Sequence, residues 1–347
     1  NMKINKRNGV FRTLLSAMTL VAATSCSEWT DVESINLNEP TIEEQNSELY
    51  TKYLENLRQY KAEPEHKKVY AWFDNSEKNL FSCAQHLTDL PDSLDAVVLI
   101  HPENLVEREL QGIESIRSNK NTKVIYSISF DEIKAAYNQS MESEAEAEPI
   151  AQDFLSYMVD TLQHALSIAD KYDYDGISIG YVGKSILHMT EAEKDEYKQN
   201  EKAFIGIMND WFQRHQDHVI VFEGNPQNLI NKELLTNCSV IFVSCLDVNS
   251  VEKLTFNLQL AAVENVPLDK LAIVIPTASP DESDKETGYF ADGTKILAGV
   301  AEWALGVGNI DVAGLGIYNI SNDYYNPSMI FKDTRNAINT LNPSIKN

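Results

Sequence analysis

The 347-residue sequence has few basic residues for its size. Lysine and arginine together number 29 against 52 aspartate and glutamate residues, and the formal net charge at pH 7 is −23. Binding to phosphate backbones or to anionic lipid depends on basic patches that release counterions. The composition therefore predicts no nucleic-acid partner and leaves a neutral or amino-sugar ligand possible.

Cysteine is also scarce, with four residues in the whole chain. Cys238 and Cys245 bracket one apolar run, and an extended strand of about 3.3 Å per residue keeps them too far apart to bridge. At most one disulfide is then available. The fold is therefore predicted to depend on its hydrophobic core rather than on cross-links.

Several catalytic and cofactor motifs are missing. The sequence contains no glycine-rich phosphate loop and no Gly-x-Ser-x-Gly motif that would indicate a nucleophilic serine. The seven histidines are scattered, apart from His215 and His218, which are three residues apart. The acidic stretch at residues 140–148 lacks the glycine turn of a calcium loop and is predicted to be a solvated loop. The sequence predicts neither a metal site nor a cofactor.

The first residues have the pattern of a secretion signal. Basic residues at positions 3–7 precede a mostly apolar run at 10–23, which is shorter than the about 20 residues that a membrane-spanning helix needs. The three small residues before Cys26 resemble the lipobox of bacterial lipoproteins. This resemblance implies that residues 1–25 are removed as a signal peptide and that Cys26 becomes the lipid anchor. An ordinary signal peptide with an incidental cysteine is the alternative.

The remainder of the chain divides into a short tether and one long domain. Residues 26–48 are polar and acidic with little apolar periodicity, which predicts a flexible tether. From Leu49 onward, apolar residues recur at helical spacing and suggest a helix that covers the bottom of the domain. The domain is predicted to extend over residues 49–347.

Eight short runs rich in valine and isoleucine alternate with longer segments of helical periodicity. Such runs are what parallel strands buried on both faces require. Eight of them predict a single (β/α)8 TIM barrel of class α/β, whereas an open doubly wound sheet normally has fewer strands and a glycine-rich phosphate turn. The predicted strands are residues 69–73, 96–100, 124–128, 176–181, 219–222, 240–246, 271–275 and 315–320.

The fourth run contains the most specific pattern in the chain, YDYDGISIGYVG at residues 172–183. It resembles glycoside hydrolase family 18, the chitinases and endo-β-N-acetylglucosaminidases. In that family the strand is aspartate, glycine, any residue, aspartate, any residue, aspartate, any residue, glutamate, usually with an aromatic residue before the glutamate and often a glycine after it. The residues that match this pattern are Asp175, Gly176, Tyr181 and Gly183.

The same strand departs from the family at three positions. The second aspartate is Ser178, the third is Gly180, and the glutamate is Val182. In family 18 the acetamido oxygen of the sugar is the nucleophile, the glutamate protonates the leaving oxygen, and the aspartate two residues earlier orients the acetamido group from the same face of the strand. Valine cannot donate a proton, and general acid catalysis contributes about 10²–10⁴-fold. The resemblance thus implies the family fold without the family mechanism.

A barrel of this kind binds its ligand at the mouth formed by the carboxyl ends of the strands. Aromatic rings stack on pyranose faces, while carboxylates and amides hydrogen-bond to hydroxyl groups. Packing inside the barrel is the alternative role for Trp72, and helix capping is the alternative for Asp74 and Asp131. The predicted glycan contacts are Trp72, Asp74, Asp131, Tyr181, Glu223, Asn225, Asp247, Tyr289, Tyr318, Asn319 and Tyr324.

These observations predict a non-catalytic surface lipoprotein that binds N-acetylglucosamine-containing glycans of the N-glycan or mucin type. One alternative is an active endo-acting glycosidase whose acid has moved to Glu223, Asp131 or Asp247, and another is a structural lipoprotein that binds no sugar. The anchor and the resemblance together predict a protein tethered to the outer membrane and exposed at the cell surface. A glycan-uptake transporter is its predicted partner.

Overall fold

The computed structural model describes residues 45–79, 81–142, 152–306 and 310–343. The chain divides after Thr51, and the unit that begins at Lys52 contains the whole sheet. The predicted signal peptide, the predicted anchor Cys26, residues 26–44 of the predicted tether and most of the predicted acidic loop lie outside the described residues. Helix α1 (Ser47–Ala62) begins two residues inside the stretch predicted as tether.

Eight parallel strands close into a barrel in which each strand pairs with its neighbours in the sequence and β8 pairs with β1. This topology confirms the predicted (β/α)8 barrel, and each strand lies within two residues of its predicted run. The strands are β1 (Lys68–Phe73), β2 (Ala96–Leu99), β3 (Lys123–Ser129), β4 (Gly176–Tyr181), β5 (Val219–Gly224), β6 (Ile241–Ser244), β7 (Leu271–Pro276) and β8 (Gly314–Tyr318).

Helices connect most of the strands. Side chains cap several of their N-termini, as where Asp153, before the helix Phe154–Tyr172, accepts a hydrogen bond from the Ser156 N–H at 2.9 Å. After α1, the helices are α2 (Glu107–Lys120), α3 (Phe130–Glu142), α4 (Phe154–Tyr172), α5 (Glu191–Arg214), α6 (Val251–Ala261), α7 (Ile296–Leu305) and α8 (Lys332–Leu341).

The expectation of a helix after every strand is wrong for the connection from β5 to β6. This fully described segment has only two single-turn 3-10 helices, Pro226–Asn228 and Glu233–Thr236. It has 16 residues, includes Pro226 near its start and lacks a sustained helical repeat of apolar residues. The described part of the β1–β2 connection likewise has two 3-10 turns, Cys83–Gln85 and Leu87–Asp89.

The core has two layers, as the alternation of side chains along buried strands requires. A larger apolar cluster lies between the outer face of the sheet and the helices. A smaller one fills the barrel interior, and it includes Tyr70, Trp72, Val98, Ile125, Val221, Phe242 and Val274.

Helix α1 ends at the amino-terminal side of the barrel, which agrees with its predicted place. The buried Lys61 ammonium donates hydrogen bonds to the Leu94 and Lys120 carbonyls and to the Thr122 hydroxyl, which directly precede β2 and β3. Burial lowers the pKa of Lys61 to about 8. The ligand-binding end predicted above is the opposite one.

Three cysteines are described, and all are free thiols: Cys83, Cys238 and Cys245. Within the described ranges, no helix combines the length and the apolar composition that crossing a bilayer requires. No three histidine, cysteine, aspartate or glutamate side chains in that part of the chain come together as metal ligands.

Candidate functional site

A carboxyl group points into the barrel at the mouth. Glu223 lies near the carboxyl end of β5, and its neighbour across the sheet is Gly180 on β4, which in turn pairs with Ser129 on β3. Val221, two residues before Glu223, belongs to the interior cluster, so the alternation of the strand directs the Glu223 side chain inward. Glu223 was predicted at this place from its position after strand five.

The surroundings of Glu223 favour its protonated form. Burial raises the pKa of this carboxyl to about 7, and the charge of Glu132 adds to the rise, while Ser127, Ser178 and Trp72 oppose it. The hydroxyls of Ser127 and Ser178 are buried, and neither makes a hydrogen bond of normal geometry within the described residues. Glu223 is therefore a group that can either donate or accept a proton near neutral pH.

Tyr318 faces the same space from the end of β8. Its ring is half-buried and packs against the interior cluster. Burial and then the negative charges of Glu223, Glu132 and Asp74 raise the pKa of its hydroxyl. The mouth therefore combines one aromatic hydroxyl with three carboxyl groups, which is a surface of hydrogen-bonding groups suited to sugar hydroxyls.

Trp72 forms part of the floor below these groups. Its side chain is 3% exposed, and its ring meets Phe242 edge to face at 5.3 Å between centroids. A Cβ at Gly316 would lie 2.8 Å from the Trp72 ring, so glycine at this point of β8 makes room for the indole inside the barrel. Trp72 thus packs in the barrel, which was the alternative given for it, and also adjoins Glu223.

Tyr181 does not lie at the mouth, and this placement corrects the prediction. The side chain is fully buried on the helix-facing side of β4, where its hydroxyl lies 2.6 Å from the Tyr197 hydroxyl and donates to the Glu201 carboxylate at 2.8 Å. Since positions 180 and 182 alternate with 181 along the strand, Tyr181 must face the other side. It anchors α5 to the sheet.

Asp131 supports the backbone rather than offering a free carboxylate. One of its oxygens accepts a hydrogen bond from the Val182 N–H at 2.6 Å, and the other accepts one from the Gly183 N–H at 3.2 Å. These bonds fix the chain where it leaves β4. Asp247 is exposed and its carboxylate lies 3.3 Å from the Lys253 ammonium. Of the three carboxyl groups predicted as relocated acids, Glu223 alone points into the barrel.

The other predicted contacts lie in turns on the carboxyl side of the sheet. Asp74 is exposed, accepts a hydrogen bond from the Ser76 N–H and lies 3.5 Å from His101. Asn225 and Asn319 each directly precede a 3-10 turn as its N-cap residue. Tyr289 is half-buried, and its backbone forms an isolated antiparallel β-bridge with Lys295. Tyr324 packs edge to face on Phe331, with ring centroids 5.5 Å apart.

Sequence reasoning missed three groups around Glu223. Ser127 and Ser178 lie on β3 and β4 and pair in register, and Glu132 lies in the first turn of α3. The serines break two runs of β-branched and aromatic residues at the inward-facing position. A polar residue at an inward position of a buried strand is the signal that could have found them.

The comparison with known families decides the classification of this barrel. The model for "Glycoside hydrolase family 18, BT1044-like" matches residues 30–340. The chain belongs to glycoside hydrolase family 18. No curated protein is significantly similar to it in sequence.

Solved structures agree with the family-18 fold. A glutamate-to-glutamine variant of BT1044 is 17% identical, with a TM-score of 0.61 over 88% of this chain and 96% of that one. The endo-β-N-acetylglucosaminidase from Cordyceps militaris in its apo form is 15% identical, with a TM-score of 0.55 over 83% of this chain and 95% of that one. Its aspartate and glutamate double variant, in complex with fucosyl-N-acetylglucosamine-Asn, gives 15% and 0.57 over 84% and 95%. At such identities the likeness concerns the fold.

Against this family background, the three substituted positions of β4 have distinct surroundings. Ser178 is buried beneath Glu223, and Val182 is 47% exposed at the strand end. A Cβ at Gly180 would lie 2.9 Å from the Ser129 Cβ and 3.0 Å from the Ser129 Cα, closer than side chains pack. The family aspartate at position 180 therefore does not fit between β4 and β3 as they stand.

Proposed function

We propose that this family 18 member is a non-catalytic glycan-binding protein that uses the barrel mouth as its sugar site. The observation that carries the proposal is the contrast within the mouth. Valine and glycine occupy the positions that resemble the family's acid and orienting aspartate, while Glu223, Tyr318 and Trp72 still line the space beside them. Binding needs such groups, whereas hydrolysis needs a positioned proton donor.

The ligand of a structural relative supports the proposed ligand class. The Cordyceps militaris relative carries fucosyl-N-acetylglucosamine-Asn. By extension, we propose N-acetylglucosamine-containing glycans of the N-glycan or mucin type as the ligands here. The acid-rich mouth supports a neutral sugar over an anionic one, because Glu223, Glu132 and Asp74 all lie near Tyr318.

The setting of this function is also proposed. The small residues before Cys26 support a lipoprotein with its acyl chains on that cysteine. We further propose that the protein is displayed at the outer membrane and works with a glycan-uptake transporter. Many tethered copies would give avidity to a weak single site. For one copy we expect dissociation constants of about 1 μM to 1 mM, since a hydroxyl-rich contact gains little beyond the ordering that it costs.

A glycan array followed by titration calorimetry tests the binding site. With a glycan that the array identifies, we expect Tyr318→Ala and Tyr324→Ala each to lose about 1–3 kcal/mol of binding free energy, because an aromatic contact is emptied and its polar partners are left unpaired. Tyr172→Ala, at the far end of α4, is the matched control and should bind as the parent does. Parent affinity in both variants would place the site elsewhere on the surface.

One observation favours a second candidate, a glycosidase in which Glu223 supplies the proton. The pKa of Glu223, about 7, is that of a group able to act as general acid near neutral pH. Glu223 also pairs across the sheet with Gly180, which has no side chain. We expect no hydrolysis of chitobiose-core or mucin-type substrates by the purified protein. Turnover that is lost in Glu223→Gln and retained in Asp247→Asn would instead establish this glycosidase.

A further inference from the structure

A cavity lies beside the mouth, outside the barrel. It measures about 510 Å³, opens to solvent, and is lined by α3, the start of α4, the segment that follows β4, and the first half of α5. This volume is in the range of small-molecule sites. None of the contacts predicted from the sequence, apart from Asp131 at its edge, lines it.

Three aromatic rings form its apolar wall. Phe130, Phe154 and Tyr197 all line the cavity, and the Phe130 and Phe154 rings meet edge to face at 5.9 Å. The Lys134 ammonium lies 3.8 Å from the centroid of Phe154 and is a hydrogen-bond donor at the same wall. An apolar surface with donors at its margin is suited to the face of a pyranose ring and to an acetamido methyl group.

One amide that lines this cavity has no hydrogen-bond partner among the described residues. Asn200 on α5 is 7% exposed and lines the cavity, and its side chain makes no hydrogen bond with any described residue. The adjacent Glu201 is 2% exposed, yet it accepts hydrogen bonds from Tyr181 and from the Ile230 and Asn231 N–H groups. The atoms of the Asn200 amide are open to the cavity, so a ligand that supplies a donor and an acceptor can replace water at this amide.

The charges at the cavity favour a neutral ligand. Lys134 and Lys184 contribute two positive charges, and Asp131, Glu193 and Glu196 contribute three negative ones. Two of these carboxylates are already occupied, since Asp131 accepts from the chain after β4 and Glu193 accepts from Thr190. These hydrogen bonds do not remove the charges, and the small negative excess disfavours an anion while giving little selection for a cation.

We infer that this cavity is a second sugar subsite, which takes an N-acetylated sugar of the same glycan whose other end lies in the mouth. The amide of Asn200 pairs with the acetamido group, and the rings of Phe130, Phe154 and Tyr197 contact its methyl group. The inference rests on the proposed glycan-binding function. The path between the two sites passes the exposed Val182, because Asp131 and Gly183 border the cavity and Asp131 holds the Val182 and Gly183 backbone.

Saturation-transfer NMR with N-acetylglucosamine as the probe, and glucose as the control sugar, tests the subsite. Because the mouth also binds the probe, the measurement is made in the Tyr318→Ala background. We expect the acetamido methyl signal to persist there and to fall, with affinity weakened about 10-fold or more, when Asn200→Leu is added. Gln199→Leu, on the exposed side of the same helix, is the matched control and should leave the signal unchanged.

A second variant avoids altering a buried residue. Ala135 is exposed and lines the cavity, so Ala135→Trp fills the space from outside and should remove the signal as well. A methyl signal that survives both Asn200→Leu and Ala135→Trp would overturn the subsite. A signal present in the parent and lost in Tyr318→Ala would also overturn it while supporting the mouth. A signal that responds only to the cavity variants would support the subsite and contradict the mouth as the sugar site.

Discussion

At the residue scale, Glu223 shows what sequence position can predict and what it cannot. Its place at the mouth follows from its position at the end of a strand-like run. Its protonation behaviour depends on burial beside Ser127 and Ser178, which come from β3 and β4, far away in the sequence. No local pattern around residue 223 contains that information.

The raised pKa of Glu223 predicts a pH-dependent stability. The folded protein holds the proton up to about pH 7, whereas the unfolded chain releases it near the usual value of 4.5. The stabilisation from this group is complete below about pH 4.5 and is lost as the pH rises through 7. The glutamine of Glu223→Gln has no charge to bury. We therefore expect the difference in unfolding free energy, variant minus parent, to be about 1–3 kcal/mol larger at pH 8 than at pH 4.

Urea denaturation of both proteins at pH 4 and pH 8 measures this difference. Glu302→Gln, at an exposed carboxyl group on α7 away from the mouth, is the control and should show a much smaller dependence. If the difference between parent and Glu223→Gln is the same at the two pH values, the pKa of Glu223 is not raised in the folded protein.

At the scale of the element, β4 separates into residues that serve the fold and residues that face the barrel interior and its mouth. Asp175 accepts hydrogen bonds from the Val124 N–H and from Arg117, and a Cβ at Gly176 would lie 1.9 Å from the Val219 carbonyl oxygen. Gly183 has a φ of 57° and lies against the Tyr181 ring. These four residues match the family pattern, and each has a structural reason that does not involve a sugar.

The departures at Ser178, Gly180 and Val182 follow the alternation of the strand. Positions 178 and 180 point into the barrel, and position 182 continues the same series at the strand end. The same alternation, available from the sequence, excludes Tyr181 from the mouth. The alternation does not predict the hydrogen bond that Asp131 accepts from the Val182 N–H, because this bond depends on how the start of α3 meets the end of β4.

Because Gly180 packs against Ser129, restoring the family aspartate should be costly. We expect Gly180→Asp to destabilise the protein by about 1–3 kcal/mol, the cost of inserting atoms into a packed site. Ser129→Gly removes the nearest atom, so the double variant should be less destabilised than the two single changes together. Thermal unfolding of the four proteins of this double-mutant cycle measures the coupling.

Additive effects would contradict the assigned contact between Gly180 and Ser129.

The same variants also test whether the hydrolytic mechanism of the family can be restored. Val182→Glu alone should rescue little hydrolysis, since Gly180 leaves the acetamido group unoriented. Adding Gly180→Asp and Ser129→Gly gives the restored strand the room that it needs.

At the scale of the whole molecule, the closed barrel could be predicted because buried parallel strands leave a repeated apolar signature along the chain. Where the repeat is absent, as between β5 and β6, the prediction of a helix failed. The position of the mouth follows from the topology, since all the strands run in one direction. The cavity beside Asn200 could not be predicted, because it arises from the packing of helices that are separated by intervening elements.

The overall charge and the proposed anchor together predict how the protein meets a membrane. With a net charge of −23, the protein has little electrostatic attraction to anionic lipid, so acyl chains on Cys26 would be its means of attachment. We expect Cys26→Ala to yield a folded protein that leaves the membrane fraction, as measured by detergent phase partitioning and by circular dichroism. Cys83→Ala, which replaces a free thiol in the barrel domain, is the matched control and should remain with the membrane. Retention of Cys26→Ala after a high-salt wash would show that another part of the chain binds the membrane.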